Sequence, residues 1–478
     1  MSNKQKAING GKWVTTSTVI STVFQFGQIA LLARLLPPTA FGLVSISSLI
    51  INFFSMFSNL GFNNSIIYKQ EEDKNVLSSL YFLNLFLGFI IFGIVYLTSP
   101  LAINFFNEPK LNGIVKVASL FFLIVYFGQI YSILMQKELR FKTLAVIDIV
   151  SVVIGTIITV VLAYRGFGAY SLIYGQIIIQ GMKTSMYILY GRDLFKVKMH
   201  FRFAEVKDHL RFGVYNLGDG IVGFIQSNSD NLLIGSMLGV KLLGYYSLAS
   251  QLAVFPITRL NPIILQVAYP IVAKMKDNDS EIKRAYIKIL DFISYCNIPL
   301  LAGLFITADI IVPLIYGAGW EPTIGLVRIM TIASIFMCLT HPLFTLAFSK
   351  GKPNLLFYLN VLTLIVKVPL IYFLGKYALA TGVAWALALA TFINLIANFA
   401  IVQKLIGNFF FEFLKNISKP IIFSVVMILA IIVYKHFIGN QGAIHALLQV
   451  SIGAAVFIGF TLAYKIPFSE VKNFKNSL

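Results

Sequence analysis

The chain has 478 residues, of which 58% are hydrophobic and only 12% are charged. Soluble domains carry about 25% charged residues, so this composition excludes an ordinary soluble protein. The formal net charge is +19, from 38 Lys and Arg against 19 Asp and Glu. No zinc, groove-reading or base-stacking motif accompanies this charge, so it indicates contact with anionic membrane lipids and not with nucleic acid.

Residue types that carry catalysis or bind metals are few and scattered. The two cysteines, Cys296 and Cys338, lie in apolar segments and form no ligand cluster or disulfide framework. The five histidines show no metal-ligand or general-base spacing: His200, His209, His341, His436 and His445. There is also no glycine-rich phosphate loop. We therefore expect no enzyme, no resident cofactor and no metal site.

Apolar runs of about 20 residues recur along the chain, and we count about fourteen of them. They are continuous and not alternating, which predicts an all-α integral membrane protein and not a β-barrel. If the N-terminus is cytoplasmic, 28 of the 38 Lys and Arg fall on the inner side and 8 in outer turns. This bias predicts that both termini are cytoplasmic. Residues 1–12 lack the features of a cleaved signal peptide, so the first span is expected to anchor the chain.

The first part of the sequence repeats weakly in the second at an offset of 202 residues, which aligns Gly42 with Gly244 and Asn59 with Asn261. Six spans, an even number, separate the copies, so we predict two pseudo-symmetric six-helix lobes of the same orientation. The last two spans fall outside the repeat. The predicted divisions are an N-terminal lobe (1–190), a basic cytoplasmic linker expected on the membrane surface (191–211), a C-terminal lobe (212–403), and two further spans with a tail (404–478).

Polar residues recur on one face of the seventh and eighth spans. In the seventh they occur at steps of three and four: Asn216, Asp219, Gly223, Gln226 and Asp230. The eighth carries Gln251, Thr258, Arg259, Asn261 and Gln266. An ionised side chain at bilayer depth costs at least about 2.5–3.5 kcal/mol, so it normally faces a cavity or a partner. Two interpretations follow: one wall of a water-filled compartment in a transporter, or a structural pair between Asp230 and Arg259.

Several motifs then carry a family resemblance. They are Phe41–Leu43 with Asn59–Phe62, Met135–Phe141, Ser227–Gly235, Leu243–Ala249 with Arg259–Pro262, and Tyr316–Pro322. Together they resemble Wzx-type polysaccharide (O-antigen or colanic acid repeat-unit) flippases, in the colanic acid exporter-like branch of the multidrug/oligosaccharidyl-lipid/polysaccharide (MOP) exporter superfamily. The resemblance extends through the twelfth span.

The resemblance implies two six-helix lobes around a central cavity, as in the MATE-like MOP fold, with two C-terminal helices added. It implies a transporter in the bacterial plasma membrane that flips oligosaccharide repeat units, linked to undecaprenyl pyrophosphate, from the inner to the outer leaflet by alternating access. Such a protein would act in lipopolysaccharide or exopolysaccharide biosynthesis, beside a glycan polymerase and other assembly proteins. A monomer is expected. Coupling to H⁺ or Na⁺ stays open.

A cargo of this kind needs cations for its phosphates and amides for its sugars. The candidates for phosphate are Arg259, then Lys367 and Arg34; the alternatives are a lipid contact for Lys367 and an interfacial position for Arg34. The candidates for sugar are Asn216, Gln226, Asn228, Asn261 and Gln25, each with an interhelical hydrogen bond as the alternative. Asp230 and Asp219 are the candidates for coupling or gating. Asp148 and Asp291, nearer the inner ends of their spans, are expected to have structural or capping roles.

Two other functions remain as alternatives. A cation-coupled multidrug or small-molecule antiporter of the same superfamily would have an acidic, aromatic cavity, which the cationic candidates disfavour. A membrane-embedded polysaccharide polymerase or ligase would carry its chemistry on a large outer loop. The outer loops here are short and contain no cluster of histidine with carboxylate.

Overall fold

A computed structural model describes residues 3–58, 62–275 and 278–464, without the side chains of residues 3–9, 58, 62–64, 208 and 210–219. Within these ranges the chain forms fifteen α-helices and no β-strand. It divides into two compact units, Met1–Ser247 and Leu248–Leu478. An all-α fold agrees with the continuous apolar runs, because a helix satisfies every backbone hydrogen bond within one segment.

The first unit contains eight complete helices. They are α1 (Asn3–Leu35), α2 (Pro38–Ser58), α3 (Phe62–Lys69), α4 (Lys74–Phe106), α5 (Leu111–Lys137), α6 (Phe141–Tyr164), α7 (Ala169–Gly191) and α8 (Phe203–Met237). The next helix, α9 (Val240–Lys274), begins in the first unit and continues into the second. The second unit then holds α10 (Asp279–Tyr316), α11 (Glu321–Thr340), α12 (Pro342–Ser349), α13 (Asn354–Ile406), α14 (Phe410–Phe437) and α15 (Ala443–Ala463).

Eleven helices in the described ranges are long and apolar enough to cross a membrane. One of them, α13, has 53 residues and is broken at Ala378 and Leu379, where Leu379 adopts a positive φ of 51°. A straight helix of that length would measure about 80 Å, well beyond an apolar bilayer core of about 30 Å, so α13 makes two crossings. The less apolar α7 and α8 have 23 and 35 residues, long enough to cross as well. The prediction of an all-α membrane protein with about fourteen transmembrane helices is confirmed.

Within the first unit, α5 packs between α4 and α7, α6 packs against α1 and α7, and α8 packs against α2, α3 and α4. Glycine allows one of these contacts to be close, since a Cβ added at Gly128 of α5 would lie 2.9 Å from the Cα of Thr184 in α7. The predicted lobe boundaries at 190 and 212 are not tested by this packing and stay a prediction.

The basic linker is anchored to the protein at several points. Phe195 and Val206 are 1% and 0% exposed and belong to a core cluster with residues of α4 and α5. Phe201 and Phe203 are exposed, which leaves them available to a lipid surface. Glu205 accepts hydrogen bonds from the Ser79 Oγ of α4 at 2.7 Å and from the His200 Nε2 at 2.9 Å.

We expect Glu205→Gln to loosen this anchor. The hydrogen bonds from His200 and Ser79 hold the pKa of the Glu205 carboxyl below its usual 4.5. A lowered pKa means that the carboxylate stabilises the anchored linker at neutral pH and that this stabilisation is lost as the pH falls through the lowered value. Amide hydrogen exchange over 195–206 should be faster in Glu205→Gln at pH 7, by less than about fivefold because the site is near the surface. As the pH falls through this lowered pKa, the exchange of wild type should approach that of the variant.

Glu138→Gln is the matched control for this change, because Glu138 is exposed at the end of α5. It should leave exchange in the linker unchanged. Equal exchange in Glu205→Gln and wild type at neutral pH would show that the buried Phe195 and Val206 hold the linker without help from the carboxylate.

In the second unit, α10 packs against α11, α14 and α15, and α11 packs against α13. Phe409, directly before α14, and Phe413, in its first turn, join the same core cluster as Tyr286 of α10. The Lys435 Nζ of α14 donates to the Asp309 Oδ1 of α10 at 2.6 Å. Helix α14 lies outside the sequence repeat, yet it is an integral part of the core of this unit.

Candidate functional site

The polar face of α8 is described only from residue 220 onward. The side chains of Asn216 and Asp219 lie outside the described residues, and their roles stay predictions. Asp230 is 6% exposed, and its Oδ2 accepts a hydrogen bond from the Tyr246 hydroxyl at 2.7 Å. Tyr246 is fully buried in the first turns of α9. The carboxyl group of Asp230 is therefore enclosed by protein, as the cost of a charge in hydrocarbon requires.

Two further candidates on α8 are partly buried. The Asn228 Nδ2 donates to the Phe224 carbonyl of its own helix at 2.9 Å. The Gln226 Oε1 accepts from the Ser227 Oγ at 3.2 Å. The hydrogen bond of Asn228 lies within α8, so it does not join two helices. A sugar-binding role for these two amides stays a prediction.

Arg259 is partly buried in α9, and Pro256 and Pro262 lie three residues to either side of it. Proline has no backbone N–H, so each removes one helical hydrogen bond and weakens the helix next to the guanidinium. The Arg259 Cζ lies 5.8 Å from the centre of the Phe255 ring. Its Nε is enclosed and has no hydrogen-bond partner among the described residues. A guanidinium with an enclosed, unused donor is suited to bind an oxyanion such as phosphate.

Asn261 lies two residues further along α9 and is fully buried. Its Nδ2 donates to the His341 Nδ1 at 3.1 Å and to the Cys338 carbonyl at 3.3 Å, and its Oδ1 accepts from the Asn297 Nδ2 at 2.9 Å. These bonds join α9 to α10 and to the end of α11. Asn261 therefore makes interhelical hydrogen bonds, which the sequence predicted as the alternative to a sugar-binding role for this residue.

We expect Asn261→Ala to lower the stability of the protein. It removes hydrogen bonds at both ends of a buried amide and leaves buried polar partners unsatisfied, which costs about 2–4 kcal/mol. Asn228→Ala removes only a bond within its own helix, and its effect should stay within about 1 kcal/mol. Thermal unfolding in detergent measures both. Equal unfolding temperatures, with transport lost only in Asn261→Ala, would instead place Asn261 among the substrate-binding residues.

The remaining candidates lie on other helices. Arg34 is exposed in the last turn of α1, and Gln25 is exposed nine residues before it. Lys367 is only 4% exposed in α13, one turn from the buried Thr363, whose Oγ1 accepts from the amide of Asn394 in the second half of that helix. Arg259, Asn261 and Lys367 thus belong to the second unit, while Gln25, Arg34, Gln226, Asn228 and Asp230 belong to the first.

An ion pair inside the first unit was not predicted as a site. Asp148 of α6 pairs with Lys183 of α7, and its second oxygen accepts from the Ser17 Oγ at 3.2 Å and the Ser21 Oγ at 3.1 Å of α1. Helix α6 begins at Phe141, so Asp148 lies two turns inside the helix and does not cap it. Its role among these residues is to join three helices. The feature of the sequence that could have predicted this ion pair is Lys183 itself, because a cation within an otherwise apolar span needs a partner.

A second network lies in the second unit. Besides Lys435, Asp309 accepts from the Asn440 Nδ2 at 2.6 Å, and the Asn440 Oδ1 accepts from the Gln449 Nε2 at 3.0 Å. These contacts tie α14, α15 and the turn between them to α10. They also give the positive charge of Lys435 a partner inside this unit, the carboxylate of Asp309.

Comparison with known proteins places the chain in a family. The family described as "Polysaccharide biosynthesis protein" matches residues 31–325, more than half of the chain. The lipopolysaccharide biosynthesis protein WzxC of Escherichia coli K12 is 31% identical over 425 residues, covering 89% of this chain and 86% of that protein. The teichuronic acid biosynthesis protein TuaB of Bacillus subtilis 168 is 28% identical over 479 residues, covering 98% and 97%.

Solved structures share the fold. The lipid II flippase MurJ, in an inward closed conformation, superposes with a TM-score of 0.76 at 15% identity, covering 94% of this chain and 98% of that one. An inward-facing MATE multidrug resistance transporter of the MOP superfamily gives a TM-score of 0.62 at 14% identity, covering 80% and 95%. At these identities the likeness establishes the fold. The chain therefore belongs to the polysaccharide biosynthesis protein family, and it is a multi-pass membrane protein with the fold of the MOP transporters.

Proposed function

We propose that this protein flips oligosaccharide repeat units, linked to undecaprenyl pyrophosphate, from the inner to the outer leaflet of a bacterial plasma membrane. Support comes from the family match and from relatives named for lipopolysaccharide and teichuronic acid biosynthesis. The observation that carries the proposal at the level of the site is Arg259, a partly buried guanidinium with an enclosed and unused Nε. An anionic pyrophosphate is the kind of group that would complete its hydrogen bonds.

The orientation and the partners belong to the same proposal. Both termini lie in the cytoplasm, supported by the excess of Lys and Arg in the segments assigned to the inner side. The basic linker contacts anionic lipids, supported by its exposed Phe201 and Phe203 beside its lysines and arginines. The protein works as a monomer next to a glycan polymerase that consumes the flipped unit.

Transport is by alternating access and is coupled to H⁺ or Na⁺, with Asp230 as the residue that carries the coupling ion. Support comes from its enclosed carboxyl group on a transmembrane helix, since buried acidic residues in transporters mark proton and ion pathways. The drug-antiporter alternative has less support, because the candidate cavity residues Arg259 and Lys367 are cations and the relatives are named for polysaccharides.

Deleting the gene tests the proposed function against the enzyme alternative. A flippase deletion should abolish the surface polymer and leave lipid-linked repeat units on the inner leaflet. A polymerase or ligase deletion would leave them on the outer leaflet, where an impermeant glycan-oxidising reagent reaches them in intact cells. Labelling from outside, or unchanged polymer output, would overturn the proposal. Complementation with the wild-type gene is the control.

A further inference from the structure

Two helical hairpins of this protein follow the sequence repeat closely. Helix α1 ends at Leu35 and α8 at Met237, while α2 begins at Pro38 and α9 at Val240. The offset is 202 residues in both cases, and each turn has two residues. The amide N–H of Leu36 donates to the Leu32 carbonyl at 2.8 Å, and the equivalent Leu238 donates to the Ile234 carbonyl at 2.8 Å. The weak sequence repeat is therefore a structural repeat at these turns.

The helices that follow the two turns touch through a reciprocal glycine contact. A Cβ added at Gly42 of α2 would lie 1.8 Å from the Val240 carbonyl oxygen of α9. A Cβ added at Gly244 of α9 would lie 1.9 Å from the Pro38 carbonyl oxygen of α2. The offset relates Gly42 to Gly244 and Pro38 to Val240, so each contact is the symmetry mate of the other. Both contacts lie within the first compact unit.

No side chain fits at these two positions without moving a helix. A real Cβ essentially never approaches another heavy atom within 3.0 Å, and here the obstacle is backbone, which cannot rotate away. Gly88 differs, since its added Cβ would meet the ring of Tyr126, which is a side chain and not backbone. The contact is surrounded by buried apolar side chains, since Leu36 is 6%, Leu43 4% and Leu243 0% exposed. Glycine at a close helix crossing lets Cα–H groups face carbonyl oxygens, a weak contact that separates easily.

We propose that Gly42 and Gly244 form a two-fold glycine clasp, which holds the outer ends of α2 and α9 together and opens during each transport cycle. This inference rests on the proposed function, because alternating access needs a contact on the outer side that closes and opens. Both turns face outside if the N-terminus is cytoplasmic, as the loop charges indicate. A clasp made from backbone alone closes without ordering flexible side chains, and its symmetry doubles the contact.

The test is access of an impermeant maleimide, added outside intact cells, to a cysteine at position 247. Ser247 is partly buried, one turn beyond Gly244. The probe variant is Ser247→Cys in a background of Cys296→Ala and Cys338→Ala. Adding Gly42→Ala or Gly244→Ala should raise the labelling rate about 5- to 30-fold, the shift expected for losing two weak contacts. The double variant should label no faster than either single one, since one methyl group already separates the helices.

Gly93→Ala and Gly181→Ala are the matched controls, because a Cβ at either glycine meets nothing within 4 Å. They should label like the parent. The proposal would be overturned if the clasp variants labelled at the same rate as these controls. It would also be overturned if the increase in labelling rate of the double variant equalled the product of the increases of the two single variants. If both clasp variants are absent from the membrane while Gly93→Ala is present, the contact builds the fold and the clasp is overturned as well. Labelling does not depend on the cargo, so its result is separate from that of the deletion experiment.

Discussion

Arg259→Ala is expected to lower surface polysaccharide strongly while leaving the protein in the membrane at its normal level. The guanidinium is partly buried, its Nε has no partner among the described residues, and its contact with the Phe255 ring lies within α9, so the fold should tolerate the change. A charge-assisted hydrogen bond contributes about 1.5–3 kcal/mol, so the export rate should fall by about 10- to 150-fold. Surface polymer per cell and lipid-linked repeat units on the inner leaflet measure the effect together.

Two further variants separate charge from geometry. Arg259→Lys keeps the charge but loses the planar fork that binds phosphate through two bonds, so its export should lie between that of wild type and alanine. Arg284→Ala removes an exposed arginine near the start of α10 in the same unit and should export normally. Normal export by Arg259→Ala would end the phosphate role. Full export by Arg259→Lys would mean that any positive charge suffices.

Hydropathy and periodicity were enough to predict the fold class. A continuous apolar run has one structural solution in a bilayer, so the helices could be counted without knowing their contacts. The break in α13 at Leu379 could also be predicted from the sequence, because an apolar stretch of 53 residues is too long to cross a bilayer only once. The alignment of Gly42 with Gly244 identified two positions that the structure shows to be equivalent. The contact between their helices could not be predicted from the sequence, because a repeat offset shows which positions are equivalent but not how far apart they lie.

The hydrogen-bond partners of the polar residues were harder to predict from the sequence. The cost of burial predicted that Asp230 would be enclosed, but nothing in the pattern selected Tyr246 as its donor from the 22 tyrosines of the chain. Lys435 and Asp309 are 126 residues apart and meet because α14 packs along α10. Asn261 was proposed for sugar, whereas the structure surrounds it with Asn297, His341 and the Cys338 carbonyl. Periodicity tells which side chains share a face, and only tertiary packing decides what that face meets.

Asp230→Asn is expected to uncouple transport from the ion gradient. The substitution keeps a side chain of the same shape, with an oxygen that still accepts from the Tyr246 hydroxyl, so the contact at 2.7 Å can persist. It removes the negative charge and with it the ability to bind a proton or a cation. Coupling free energies between two binding events are about 1–3 kcal/mol, so gradient-driven export should fall by about 5- to 150-fold. Export measured with and without a protonophore or a sodium ionophore identifies the ion.

Tyr246→Phe separates the charge from the hydrogen bond. It leaves the carboxyl group of Asp230 and removes one donor from a buried site, so stability should fall by about 1–3 kcal/mol while export keeps its response to the ionophore. Ser229→Ala, at a neighbouring residue that is 3% exposed and bonded within α8, should change neither quantity. An Asp230→Asn protein that exports at the wild-type rate and still slows with the ionophore would make the aspartate a structural acceptor for Tyr246. The coupling site would then have to lie elsewhere, and Asp148 of α6, which bonds to α1 and α7, would be next to test.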